Sequence, residues 1–114
     1  MAILVTGAAS GMGAATVERL RAAGKKVVGA DLGASDLQAD LSTVEGRQSV
    51  VDGVAGLELE GLAAFAGVSG FGGRSGALVV STNYFGSVHL FEGLRPALAQ
   101  TRGAGVAVSS NSAT

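Results

Sequence analysis

Ile3-Leu4-Val5-Thr6-Gly7-Ala8-Ala9-Ser10-Gly11-Met12-Gly13 decides the fold. Ile3 to Thr6 is a short apolar run bounded by glycine, which predicts a strand buried on both faces, as in a parallel sheet. Beyond the glycine turn, Gly13, Val17, Leu20 and Gly24 recur at helical spacing, with Glu18 and Arg19 off that face. Gly24 fits the residue just past a helix end. Lys26 to Asp31 reads as a second strand, so these stretches form one βαβ unit. Within the turn, Gly7 lets the chain leave the strand sharply. Gly11 lets backbone approach a pyrophosphate, and Gly13 lets the helix pack closely. Exposed amides at the helix start favour an anion. Asp31 closes the second strand about twenty residues beyond the last glycine, where an acid accepts hydrogen bonds from ribose hydroxyls and repels a 2′-phosphate. With no basic residue at Ser10 or Leu32, the pattern favours NAD over NADP. The bland alternatives are a plain glycine-rich turn and an aspartate that only caps it.

The alternation continues outward. Asp36 to Ala39 predicts a third strand. Ser42 with Glu45 three residues on reads as a capping box for a helix to about Val54. Leu62 to Ala66 predicts a fourth strand. A long helix covers Ala77 to Gln100, with a kink or break expected at Pro96, and Val106 to Ser109 predicts a fifth strand. The expected fold is α/β, a Rossmann-type doubly wound parallel sheet with helices on both faces, truncated after the fifth strand.

Composition narrows the functional classes. The chain has 114 residues, with Lys+Arg 8 against Asp+Glu 9 and a formal net charge of −1, so a basic nucleic-acid surface is not expected. Cysteine is absent, which excludes a disulfide framework, a thiolate metal site and a cysteine nucleophile; no metal site is expected. The 47% apolar content argues against disorder. No run is long enough for a membrane span and no leader is recognised, so a cytoplasmic location is expected. Gly24-Lys25-Lys26 lacks the pattern of a P-loop. A methyltransferase-type nucleotide fold fits less well, because no acid ends the strand before the turn.

The spacing Thr6-Gly7-x-x-x-Gly11-x-Gly13 resembles the short-chain dehydrogenase/reductase family, and further stretches are similar in the family's order along essentially the whole chain. Asp40-Leu41 resembles its adenine-contacting pair. Ala64-Phe65-Ala66-Gly67 stands where the family has Asn-Asn-Ala-Gly. Asn83 resembles its active-site asparagine, and Ser110 in Val106-Ala107-Val108-Ser109-Ser110 its catalytic serine. Ala39-Asp40-Leu41-Ser42-Thr43 and Glu45-Gly46-Arg47, with Asn83-Tyr84-Phe85-Gly86, are most similar to the bacterial 3α-hydroxysteroid dehydrogenase branch.

The resemblance implies an NAD-binding Rossmann domain over residues 1–114, the N-terminal part of a longer single-domain enzyme. Such an enzyme moves a hydride between nicotinamide and a secondary alcohol or ketone, a hydroxysteroid among the candidates. It implies cofactor contacts from Gly7, Ser10, Gly11, Met12, Gly13, Asp31, Asp40, Leu41, Ala66 and Gly67. Ser110 would hold the substrate oxygen and Asn83 a proton-relaying water. Bland readings stay open: a strand-end cap for Ser110, a helix kink for Asn83 and a strand-ending glycine for Gly67.

The chain departs from the pattern at Ala64-Phe65, which removes two amides that tie the sheet. It also lacks the Tyr-x-x-x-Lys pair, since the single tyrosine, Tyr84, is followed four residues later by Val88. A non-catalytic dinucleotide-binding sensor or scaffold is therefore the competing function. His89 reads as a helix-face residue, and Tyr84 and Phe85 as core or interface. Apolar Phe85, Leu90, Phe91, Leu94 and Leu98 on the long helix, together with the resemblance, lead to an expected homodimer or homotetramer.

Overall fold

Five parallel strands in the order β3-β2-β1-β4-β5 form the sheet: β1 Ala2–Thr6, β2 Lys26–Asp31, β3 Leu37–Gln38, β4 Leu59–Ala64 and β5 Ala104–Ala107. The computed structural model describes residues 1–68 and 73–109. Side chains alternate across β1, because successive residues of a strand point to opposite faces. Ala2 and Leu4 enter one core with Val50, Val54, Leu59, Leu62, Leu90 and Leu94. Val5 enters a second core with Val17, Val27 and Ala63. The first core lies under helices α2 (Val44–Gly53) and α4 (Gly86–Thr101), the second under α1 (Gly11–Ala22). Helices on both faces and this strand order are those of a Rossmann-type doubly wound sheet, as the sequence led us to expect.

Element boundaries differ from expectation for identifiable reasons. β4 begins three residues before Leu62, because β1 pairs through Gly61 back to Leu59. It stops before Ala66, whose amide donates instead to the buried Thr6 hydroxyl at 3.0 Å. β5 is shifted to Ala104–Ala107 and is exposed along its length. The cap of α2 is Thr43, not Ser42: Thr43 Oγ1 accepts from the Gly46 amide at 2.9 Å, while the Ser42 hydroxyl donates to Asp40 Oδ1 at 2.6 Å. Three residues beyond Thr43 stands Gly46, so Glu45 closes no capping box.

The long helix is interrupted, but not at Pro96. α3 (Gly76–Val80) runs into a π-turn, Ser81–Phe85, and then into α4. α4 continues through Pro96 because both Pro96 and Glu92, the residue whose carbonyl the missing amide would have bonded, are exposed to water. The apolar residues of this helix divide between core and surface. Leu90 and Leu94 are buried, and Phe91 and Leu98 pack against the core. Phe85 is exposed, as is Tyr84, whose ring meets Phe85 edge-on at 5.1 Å; Tyr84 is not a core residue.

Candidate dinucleotide site

The glycine turn lies where β1 ends and α1 begins. Gly13 packs so tightly that an added Cβ would stand 1.9 Å from the Gly7 carbonyl oxygen. Gly11 differs: its φ is +57°, which disfavours other residues, and its Cβ direction is open space. Ser10 occupies the N-cap position of α1 without a side-chain cap bond, and no acid stands in the first turn. The opening amides of α1 thus keep their attraction for an anion. Met12 in that turn is 61% exposed.

Asp31 reaches this turn directly. Its Oδ2 accepts from the Ala9 amide at 2.9 Å and its Oδ1 from the Gly33 amide at 2.8 Å. A carboxylate has about four acceptor sites, so capacity for ribose hydroxyls remains. Asp31 therefore caps the turn and also stands beside the glycine loop; the two readings are compatible.

Asp40 is exposed on the loop before α2, where Oδ1 accepts from the Ser42 hydroxyl and from its amide at 2.9 Å. Those bonds, with a smaller contribution from the Arg47 charge, hold its carboxyl below the ordinary value of 3.8 against a weak opposing effect of burial. A lowered folded value adds stability above the unfolded pKa, and that stability is lost as pH falls through the folded one. Asp40→Asn is accordingly expected to lower the thermal midpoint near neutrality, with the gap closing in acid below pH 3.8. Melts of the two proteins across that range check it; a gap that widens in acid contradicts it. Leu41 is in the core, and its carbonyl accepts from Arg47 Nε at 2.9 Å, so its side chain is not available to a ligand.

Ala66 is half-buried and Gly67 exposed beyond the end of β4. Asn83, in the π-turn, grips the next residue twice: its Oδ1 accepts from the Val68 amide at 2.7 Å and its Nδ2 donates to the Val68 carbonyl at 2.8 Å. The local kink and the backbone-satisfied amide are both present. Beyond the departure at Ala64-Phe65, Thr6 and Asn83 tie the backbone at Ala66 and Val68. Ser110 lies outside the described residues. His89 joins α4 to α2 through Gln48 at 3.1 Å. A cavity of about 180 Å³ lies between α1 and the stretch after β2, lined by Ala8, Arg21 and Asp36 among others; it excludes Gly11, Gly13 and Asp40. It adjoins the glycine turn through Ala8, and the Arg21–Asp36 ion pair at 3.1 Å occupies its wall.

Sequence reasoning gave no role to Arg47 or Thr6. Arg47 carries a signal: it stands three residues before Val50 and seven before Val54, on the buried stripe of α2. Thr6 carries one too, as the polar end of a wholly buried strand.

No family model matches the chain. It is similar to the 3-alpha-hydroxysteroid dehydrogenase/carbonyl reductase of Comamonas testosteroni, 40% identical over 98 residues, 84% of this chain and 38% of that protein. It also superposes on the crystal structure of the 3-alpha-hydroxysteroid dehydrogenase from Pseudomonas sp. B-0831 complexed with NADH. That match has a TM-score of 0.92 and 45% identity, over 99% of this chain and 46% of that one. A short-chain dehydrogenase from Streptomyces avermitilis matches with a TM-score of 0.80 and 25% identity, over 96% of this chain and 49% of that one. The chain thus spans less than half the length of each of these three relatives. Strand order, glycine turn, Asp31 and these likenesses agree: the chain belongs to the short-chain dehydrogenase/reductase family.

Proposed function

We propose that residues 1–114 are the NAD-binding part of an oxidoreductase that interconverts a secondary alcohol and a ketone, with a hydroxysteroid as the candidate substrate. The observation that carries this is the Asp31 carboxylate bonded to the Ala9 amide of the glycine turn, in which the Cβ direction of Gly11 is open. The relatives support it: one is a 3-alpha-hydroxysteroid dehydrogenase/carbonyl reductase, another a 3-alpha-hydroxysteroid dehydrogenase complexed with NADH.

The residues present fit a dinucleotide. The amides around Gly11, Met12 and Gly13 would face the diphosphate, with Gly7 and Ser10 shaping the turn. Asp31 would accept from the ribose hydroxyls. Asp40, the main chain of Leu41, and Ala66-Gly67 would border the adenosine. When bound, nicotinamide supplies or takes the hydride. Asn83 would fix the backbone beside that ring. Ser110 is the proposed donor to the substrate oxygen as negative charge grows on it. The general acid/base would come from elsewhere in the complete protein, which we propose to be a cytoplasmic homodimer or homotetramer. Val80, Tyr84 and Phe85 offer it an exposed apolar patch, and no helix among the described residues is long and apolar enough to cross a membrane.

Calorimetric titration of the complete protein with NADH and NADPH tests the site. NADH is expected to bind at least about tenfold more tightly, the effect of one unfavourable charge contact; equal affinities refute the reading. Secondary alcohols with NAD, followed by NADH absorbance, then separate an enzyme from a sensor that binds without turnover.

A further inference from the structure

Arg47 is the only buried charged side chain among the described residues, 7% exposed. Its partners are main-chain carbonyls. Nε donates to Leu41 at 2.9 Å, and Nη2 donates to Ser42 at 3.2 Å and to Ser81 at 3.0 Å. The guanidinium carbon also lies 5.9 Å from the centre of the Phe85 ring. Leu41 and Ser42 follow Asp40, whereas Ser81 opens the π-turn. The Ser81 carbonyl also accepts from the Gly86 amide, the bond that closes that turn. Two residues after Ser81, Asn83 clasps Val68 beside Gly67.

An apolar side chain could fill this position in α2 without desolvating a charge. What a rigid planar fork with several donors adds is a fixed spacing between two main-chain segments. Here those segments are remote in sequence, and Arg47 bonds both of them.

We propose that Arg47 is a positioning residue that couples the Asp40–Leu41 loop to the π-turn bearing Asn83. Filling the adenosine side then sets the asparagine that orders the backbone at Val68. This rests on the cofactor reading above.

The test uses the complete protein and ADP, which carries adenosine and diphosphate but no nicotinamide. Hydrogen exchange is expected to slow at the glycine turn and also at the amides of residues 82–86, Gly86 above all. In Arg47→Lys, which keeps the charge but not the fork, protection at the glycine turn stays and protection at residues 82–86 disappears. Steady-state kinetics of the same variant should show the KM for NADH raised and kcat lowered, each by about tenfold, the usual size of coupling between sites. A merely structural role would lower the melting temperature and leave both constants of the folded protein unchanged, which overturns the proposal. Should Arg47→Lys not fold, the wild-type exchange decides alone: protection confined to the glycine turn overturns the coupling, and protection extending to residues 82–86 supports it. Wild-type protein that binds neither ADP nor NADH removes the cofactor reading itself, a distinct result.

Discussion

Replacing Gly13 with alanine is expected to weaken dinucleotide binding severely and to destabilise the protein by about 3 kcal/mol, the upper part of the range for overpacking. The new Cβ would stand 1.9 Å from the Gly7 carbonyl oxygen and 2.5 Å from its carbon. The obstacle is main chain, so no rotamer change relieves it; the turn must open. Affinity should fall by on the order of a hundredfold, as when binding groups are misplaced by about an ångström. Gly11→Ala is the matched control. Its Cβ would meet no atom within 4 Å, but its φ is +57°. The loss of stability should be only about 1–2 kcal/mol, the strain of a left-handed residue. Affinity should still drop, because the methyl enters the space a diphosphate would use. Thermal melts and NADH calorimetry of both variants check the pair. A Gly13→Ala protein that melts and binds as the wild type contradicts this account of the turn.

Removing the Asp31 carboxylate has the second-largest expected effect. Asp31→Ala deprives the Ala9 and Gly33 amides of an acceptor, at 2.9 and 2.8 Å respectively, and removes the charge that distinguishes the two dinucleotides. Hydrogen bonds to a charged group are worth about 1.5–3 kcal/mol each. NADH affinity should therefore fall roughly thirtyfold, while NADPH binding changes little or improves. Asp31→Asn, which keeps an acceptor but no charge, should recover part of the NADH affinity while the preference over NADPH narrows. Paired titrations with both cofactors read this out. Unchanged selectivity in either variant would show that discrimination resides elsewhere.

The residues that made the fold legible are those whose chemistry is local. Ile3 to Thr6, the glycine turn and Asp31 announce themselves by apolar runs, by glycine spacing and by an acid at a strand end. Positions decided by competition between partners or by packing were not legible. Thr43 rather than Ser42 caps α2 because Ser42 is drawn to Asp40. β4 reaches back through Gly61 because β1 is there to pair with it. Pro96 does not break α4, because its cost depends on which residue loses a bond, and both it and Glu92 are exposed. Within the site, Asn83 stood out as an amide in an apolar helix, yet nothing local says that its partner is Val68. Arg47 was visible only as an anomaly on a buried stripe; its acceptors lie up to 34 residues away.

The π-turn has a geometric consequence of its own. In a regular helix Thr82 would stack above Gly86; here Ser81 does, through the Gly86 amide. The chain upstream is therefore offset by one residue's angular step, roughly 100°. Gly86, Leu90 and Leu94 can face the sheet while Asn83 faces the strand-end loop. Helical phase is normally a single variable shared by every residue on the rod. This chain holds two settings of it, so that sheet packing and the aim of one amide can drift independently over evolutionary time.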